Sequence, residues 1–174
     1  MQKVKLLVLD VDGVLTDGKL YYGSSGEEYK SFHTQDGLGI NLARHSGIKI
    51  ALISGRSSNA VKKRAAELKI DVFYQGIHDK VQVLNEIMAD FNINLENVCY
   101  MGDDLNDLPI LQIVGYPAAP QNAVPLVKES ARFISKANGG EGAVRELIDH
   151  ILTEGYDYKS LLHHYFNGMI TFTQ

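Results

Sequence analysis

Two carboxylates, Asp10 and Asp12, follow directly on the aliphatic run Leu6-Leu7-Val8-Leu9. An Asp-x-Asp pair lets one side chain attack an electrophile while the other moves a proton to or from the reacting oxygen. Gly13 then allows the backbone to turn closely around a bound group. More acids come at Asp103, Asp104 and Asp107, after the apolar Val98-Cys99-Tyr100-Met101, and Ser54 with Gly55 closes another apolar run. Several carboxylates in one cleft repel each other unless a cation neutralises them. Oxygen donors with no His or Cys in these segments favour a hard ion, Mg2+ above all. Phosphoryl chemistry needs fixed positive charge as well, and Lys80, beside the turn Gly76-Ile77-His78-Asp79, supplies it. Taken singly, Ser54 suits a turn cap, Lys80 a solvated surface and Asp104 or Asp107 a helix start. Their joint appearance behind apolar strands is what points to a site.

Those groups can meet only if the strands before them run in parallel. Residues 6–9, 48–53, 72–74, 98–101, 114–118 and 132–134 read as short strands with little polar interruption, as expected of strands buried on both faces. Helical periodicity separates them at 36–45, 61–68, 78–91, 105–113, 123–128 and 142–152, with Asp36 placed to cap the first of these. Strand–helix alternation predicts an α/β fold, a three-layer αβα Rossmann-like parallel sheet covered by helices on both faces. Parallel strands put their carboxyl ends on one edge, where ligands bind, so Asp10, Ser54 and Asp103 converge there. One extension interrupts the alternation. Residues 18–33 flank a Gly-Ser-Ser-Gly turn with β-prone stretches and read as a hairpin carrying Tyr21, Tyr22, Tyr29 and Phe32. Two strands cannot bury such a face alone, so a partner subunit is its simplest cover. A tail over 155–174, rich in Tyr, Phe and Leu, has no evident place in the sheet.

The chain has 174 residues, 45% of them hydrophobic, enough for one core and short for two, so residues 1–174 are expected to form a single domain. A net charge of −4 argues against nucleic acid as a partner. No apolar run approaches the roughly 18 residues that span a bilayer, which predicts no membrane partner and a cytoplasmic place. The single cysteine, Cys99, excludes an internal disulfide and sits in an apolar stretch, as a buried core residue would.

Asp10-Val11-Asp12-Gly13-Val14, Ile53-Ser54-Gly55-Arg56-Ser57, Asp79-Lys80 and Gly102-Asp103-Asp104 with Asp107, in this order, resemble the haloacid dehalogenase superfamily of phosphohydrolases. The lack of any sizeable cap-domain insertion, the hairpin after the first motif and the phrase Ser54-Gly55-Arg56-Ser57 are similar to the 3-deoxy-D-manno-octulosonate 8-phosphate phosphatases. The resemblance implies an aspartyl-phosphate mechanism. Asp10 would attack phosphorus, Asp12 would protonate the leaving sugar oxygen and then activate water, and Ser54, Gly55 and Lys80 would bind the phosphoryl oxygens. Asp10, the carbonyl of Asp12 and Asp103 would ligate Mg2+, with Asp104 and Asp107 behind them as partners or as orienters of Lys80. The resemblance also implies a homotetramer built through the hairpins. For the carboxylate of a sugar-acid phosphate, the residues to consider are Arg56, just beyond Ser54, and Arg64, with Thr34 and Asp36 lining the same mouth.

Two other readings compete. One is a phosphatase for a nine-carbon, sialic-acid-like 9-phosphate, against which Arg56 leans. The other is a noncatalytic regulatory module that binds phosphate without turnover. Such a module has no use for an acid two residues beyond a nucleophile, so Asp12 argues against it.

Overall fold

The computed structural model describes residues 3–170. Six strands form the central sheet: β1 (Leu6–Leu9), β4 (Lys49–Ser54), β5 (Val72–Gln75), β6 (Val98–Met101), β7 (Tyr116–Ala119) and β8 (Phe133–Ile134). Their order is β5-β4-β1-β6-β7-β8, with every neighbouring pair parallel. The order reverses at β1, which leads to β4 on one side and lies against β6 on the other. A crevice opens at the carboxyl ends of the strands where such a reversal occurs.

Alternate side chains of each strand supply two apolar layers. Leu7, Leu9, Ile50, Leu52, Cys99 and Met101 face α1 (Thr34–His45), α2 (Asn59–Glu67) and α6 (Ala143–Gly155). Leu6, Val8, Ala51, Ile53, Val98 and Tyr100 face α3 (Lys80–Phe91), α4 (Leu108–Leu111) and α5 (Pro125–Ser130). The helices answer with matching stripes, among them Leu147, Ile148, Ile151 and Leu152 on α6 and Val83, Leu84 and Ile87 on α3. Burial at this density is why the strands read as continuous aliphatic runs.

Several boundaries differ from the expectation, each for a local reason. The first helix starts at Thr34 after His33, so Asp36 lies inside α1 instead of capping it. Residues 105–113 divide into a single 3-10 turn, Leu105–Asp107, and α4, with Pro109 in the first turn of α4. The hairpin strands are only two residues each, β2 (Tyr21–Tyr22) and β3 (Glu28–Tyr29), closed by Gly23 N–H donating to Glu27 O at 2.8 Å. Phe32 leaves the hairpin's aromatic face and packs on the core below α1, while Leu20 takes its place among the exposed apolar side chains. The tail forms a further helix, α7 (Tyr158–Ile170), whose Tyr158, Leu161, Leu162 and Tyr165 pack against the layer that includes α1 and α6. Residues 171–174 of that predicted tail lie outside the described residues. No helix among the described residues is long and apolar enough to cross a membrane.

Candidate active site

Asp10 is the first residue past β1, 6% exposed, and its N–H donates to Met101 O at 3.0 Å. That bond ties the end of β1 to the end of β6, so Asp103 comes up beside it. Lys80 arrives from the other side as the first residue of α3. Its position follows from Asp79, whose side chain accepts a hydrogen bond from Gln82 N at 2.9 Å and so fixes the helix start. The Lys80 ammonium donates to Asp10 Oδ1 at 2.8 Å and to Asp107 Oδ1 at 2.7 Å, in a site where Lys80 is 4% exposed. Tyr100, fully buried on β6, donates its hydroxyl to the same Asp107 oxygen at 2.5 Å. The other oxygen, Asp107 Oδ2, accepts the N–H groups of Asp103 and Asp104 at 2.9 and 3.3 Å. Asp107 is thus engaged at both oxygens and holds Lys80 toward Asp10.

Asp10, Asp103 and Asp107 each offer a carboxylate oxygen, all within 4.8 Å of one another. The electrostatic consequence is large. Burial, and then the neighbouring Asp10 and Asp107 charges, push the Asp103 carboxyl up to about 8. Burial also raises Asp10 to about 6, against the lowering pull of Lys80. For Lys80, burial works to lower the ammonium's pKa, but Asp10 and Asp107 outweigh it and the net shift is upward. Carboxylates that resist ionising together, with only oxygen donors and one organic cation among them, fit a hard divalent ion such as Mg2+.

Glycine is required at Gly13 for two reasons: its φ is +89°, and a Cβ there would lie 2.0 Å from Asp103 Oδ2. The loop is held from behind by Asn122, which donates to Gly13 O at 3.1 Å and accepts from Gly139 N at 2.6 Å. Gly139 packs so closely that a Cβ would sit 1.7 Å from Gly13 O. The glycine-rich segment before α6 therefore buttresses the Asp10–Gly13 loop.

Above the buried cluster lies a cleft of about 230 Å3, lined by Asp10, Asp12, Gly18, Gly55, Arg56, Asp103, Asp104 and Asn106. Ser54 ends β4 beneath it, 4% exposed, with Oγ accepting Arg56 N–H at 3.2 Å. Asp12 lines the same cleft but draws its partners from outside the acidic cluster. Its Oδ1 meets the Lys30 ammonium and accepts from Thr16 Oγ1 at 3.4 Å, and its Oδ2 lies 3.9 Å from Arg56 Nε. Arg56 in turn donates to Tyr22 OH at 3.0 Å and lies 3.5 Å from Glu28 Oε1, so the hairpin forms one wall of the cleft.

Three of the residues expected at the mouth are not brought there within one chain. Thr34 and Arg64 line a separate groove of about 330 Å3 beside Leu38, Asn41 and Tyr165. The Arg64 guanidinium sits 5.9 Å from the centre of the Phe32 ring and 3.4 Å from Glu67 Oε2. Asp36 is 2% exposed and accepts the Arg145 N–H at 2.8 Å, which makes it a buried anchor for the first turn of α6. Lys30, Tyr100, Asn122 and Gly139 were not singled out from sequence as site residues. Tyr100 carries the one visible signal, a hydroxyl inside an otherwise apolar strand that precedes an acidic motif. Lys30 has none, because hairpin lysines are ordinarily solvated.

Residues 72–148 match the haloacid dehalogenase-like hydrolases. The curated 3-deoxy-D-manno-octulosonate 8-phosphate phosphatase of Escherichia coli strain K12 is 43% identical over 151 residues, covering 87% of this chain and 80% of that protein. A crystal structure of a probable YrbI family phosphatase from Pseudomonas syringae superposes with a TM-score of 0.91 at 44% identity, covering 95% of this chain and 94% of that one. The 3-deoxy-D-manno-octulosonate 8-phosphate phosphatase of Moraxella catarrhalis, solved with magnesium, phosphate and the sugar acid, superposes with a TM-score of 0.90 at 38% identity and 93% coverage of both chains. The chain belongs to the 3-deoxy-D-manno-octulosonate 8-phosphate phosphatase family of the haloacid dehalogenase-like hydrolases. Phosphate-ester hydrolysis is its activity class.

Proposed function

We propose that this chain is a Mg2+-dependent phosphomonoester hydrolase that releases phosphate from 3-deoxy-D-manno-octulosonate 8-phosphate, in the route to lipopolysaccharide sugar. The observation that carries the reading is the Asp10 carboxylate at the end of β1, held beside Lys80 and Asp103 under an open cleft. The 43% identical Escherichia coli relative and the Moraxella complex with magnesium, phosphate and the sugar acid support the substrate and the ion.

Asp10 attacks phosphorus and takes the phosphoryl group, while Asp12 gives a proton to the leaving sugar oxygen. Asp12 then takes a proton from water, whose oxygen attacks the aspartyl phosphate and frees Asp10. Splitting hydrolysis in this way uses one clamp twice, with Ser54, Gly55 and Lys80 holding the phosphoryl oxygens. Mg2+, held by Asp10, the Asp12 carbonyl and Asp103, supplies charge that offsets repulsion between the attacking carboxylate and the phosphate dianion. Asp104 and Asp107 stand behind this set, Asp107 by orienting Lys80. Arg56, at the cleft wall, receives the substrate carboxylate.

We further read residues 1–174 as one domain that works in the cytoplasm without nucleic-acid or membrane partners. Its buried, unpaired Cys99 suits a reducing compartment. Association as a homotetramer through the hairpin is supported by the exposure of Leu20, Tyr21, Tyr22 and Tyr29 there. Arg64 and Thr34 lie outside their own chain's cleft, so in this reading they would meet substrate only as a neighbour's contribution to such an assembly.

A panel of phosphate esters, assayed with and without Mg2+ on the wild type and Asp10→Asn, tests the whole. The expected result is Mg2+-dependent turnover with preference for the eight-carbon acid, and none from a folded Asp10→Asn. Preference for a nine-carbon acid phosphate would transfer the substrate assignment. Phosphate binding without turnover would make the chain a noncatalytic module.

A further inference from the structure

We propose that Lys30, on the hairpin outside the sheet, is a positioning residue that holds the Asp12 carboxylate in the orientation its two proton transfers require. The inference rests on reading Asp12 as the acid and base of the reaction. The Lys30 side chain is 1% exposed, although β3, which it follows, stands clear of the central sheet. A lysine in such a place can run its stem over apolar surface and leave its ammonium in water. This one does the reverse, and its Nζ meets Asp12 Oδ1 with Glu28 Oε1 3.6 Å away on its other side. A covered ammonium is costly unless it is paired, so the two carboxylates fix where it sits.

Asp12 depends on that contact. It lies in the loop after β1, 21% exposed at its side chain. Its other polar contacts are weak: Thr16 Oγ1 at 3.4 Å and Arg56 Nε at 3.9 Å. Among the described residues Lys30 is its nearest charged partner. Proton transfer demands a donor held within hydrogen-bond reach of the reacting oxygen. The hairpin therefore does more than wall the cleft: through Lys30 it aims the proton carrier.

The experiment compares Lys30→Met, Lys30→Arg, Asp12→Asn and the Lys30→Met/Asp12→Asn double variant, reading kcat and KM for the preferred phosphate ester alongside melting temperature and light scattering. Lys30→Met is expected to lower kcat by about 10- to 100-fold, the scale of a misplaced reacting group, with KM changed less than about threefold. Lys30→Arg should recover most of the loss, and the double variant should be no slower than Asp12→Asn. Full kcat in Lys30→Met beside an inactive Asp12→Asn would overturn the proposal while sparing the role of Asp12. So would losses that multiply in the double variant, a change confined to KM, or a fall in kcat that only tracks unfolding or dissociation. Full activity in Asp12→Asn would remove the reading of Asp12 itself, and the proposal with it.

Discussion

The Lys80 ammonium lies 2.8 Å from Asp10 Oδ1, joining two residues 70 positions apart in a site that excludes nearly all solvent. The same ammonium is 2.7 Å from Asp107, so one cation serves two carboxylates while Asp103 stands close by. Without that cation the clustered acids would face one another with no positive charge among them.

Lys80→Met should therefore cost more than catalysis. Breaking a buried ion pair from one side leaves uncompensated charge, worth about 3–5 kcal/mol. Denaturant titration of the metal-free variant should show a loss of that order, and added Mg2+ should recover part of it. A variant as stable as wild type without metal would show that the acids simply take up protons.

Arg56→Ala should separate substrate recognition from chemistry. Losing a charge-assisted pair with a substrate carboxylate, worth about 1.5–3 kcal/mol, raises KM for the sugar-acid phosphate by about 10- to 100-fold. Turnover of a small phosphate ester without a carboxylate should hardly change. Equal losses on both would assign Arg56 to the wall it builds with Tyr22 and Glu28.

Replacing Leu20 and Tyr29 by serine should weaken self-association. These two are 45% and 59% exposed and spare the Tyr22–Arg56 contact. At about 1.5–3 kcal/mol per buried apolar side chain, the double variant should dissociate at concentrations where the wild type stays assembled. Light scattering reads this directly, and a monomeric wild type at micromolar concentration would exclude the hairpin assembly.

Glu146 should govern part of the acid limb of stability. Burial pushes its carboxyl up, but hydrogen bonds from Ser135 Oγ at 2.5 Å and from the N–H groups of Ala137 and Lys136 at 3.2 and 2.8 Å pull it down further, for a net lowering. A lowered carboxyl stabilises the fold above its unfolded-state value, and the contribution fades as pH falls through the folded one. Glu146→Gln is expected to lose about 1 kcal/mol at neutral pH, with a shallower decline toward acid. Unchanged melting at pH 7 would show that those contacts add nothing.

Much of this protein was legible in its residues alone. Short aliphatic runs alternating with helical periodicity point to a doubly covered parallel sheet, and a parallel sheet sends every strand's carboxyl end to one edge. Asp10, Ser54 and Asp103 follow from that rule alone, and Lys80 stands out as a cation beside the turn that ends at Asp79; that Asp79 caps the helix and so sets the place of Lys80 is seen only in the fold. What local pattern could not reveal depends on contacts between distant segments. Asp36 looks like a helix cap because an acid near a helix start usually is one; only the packing of α6 on α1 turns it into a buried acceptor for Arg145. Phe32 continues the hairpin's aromatic pattern, yet α2 brings Arg64 over its ring and draws it onto the core. Lys30 reads as a solvated hairpin lysine until the hairpin folds back across the loop after β1. Sequence determined which strand ends carry the chemistry, because period and polarity are local. Tertiary structure decided which cations reach those acids, because a long side chain's partner is set by where the whole chain returns.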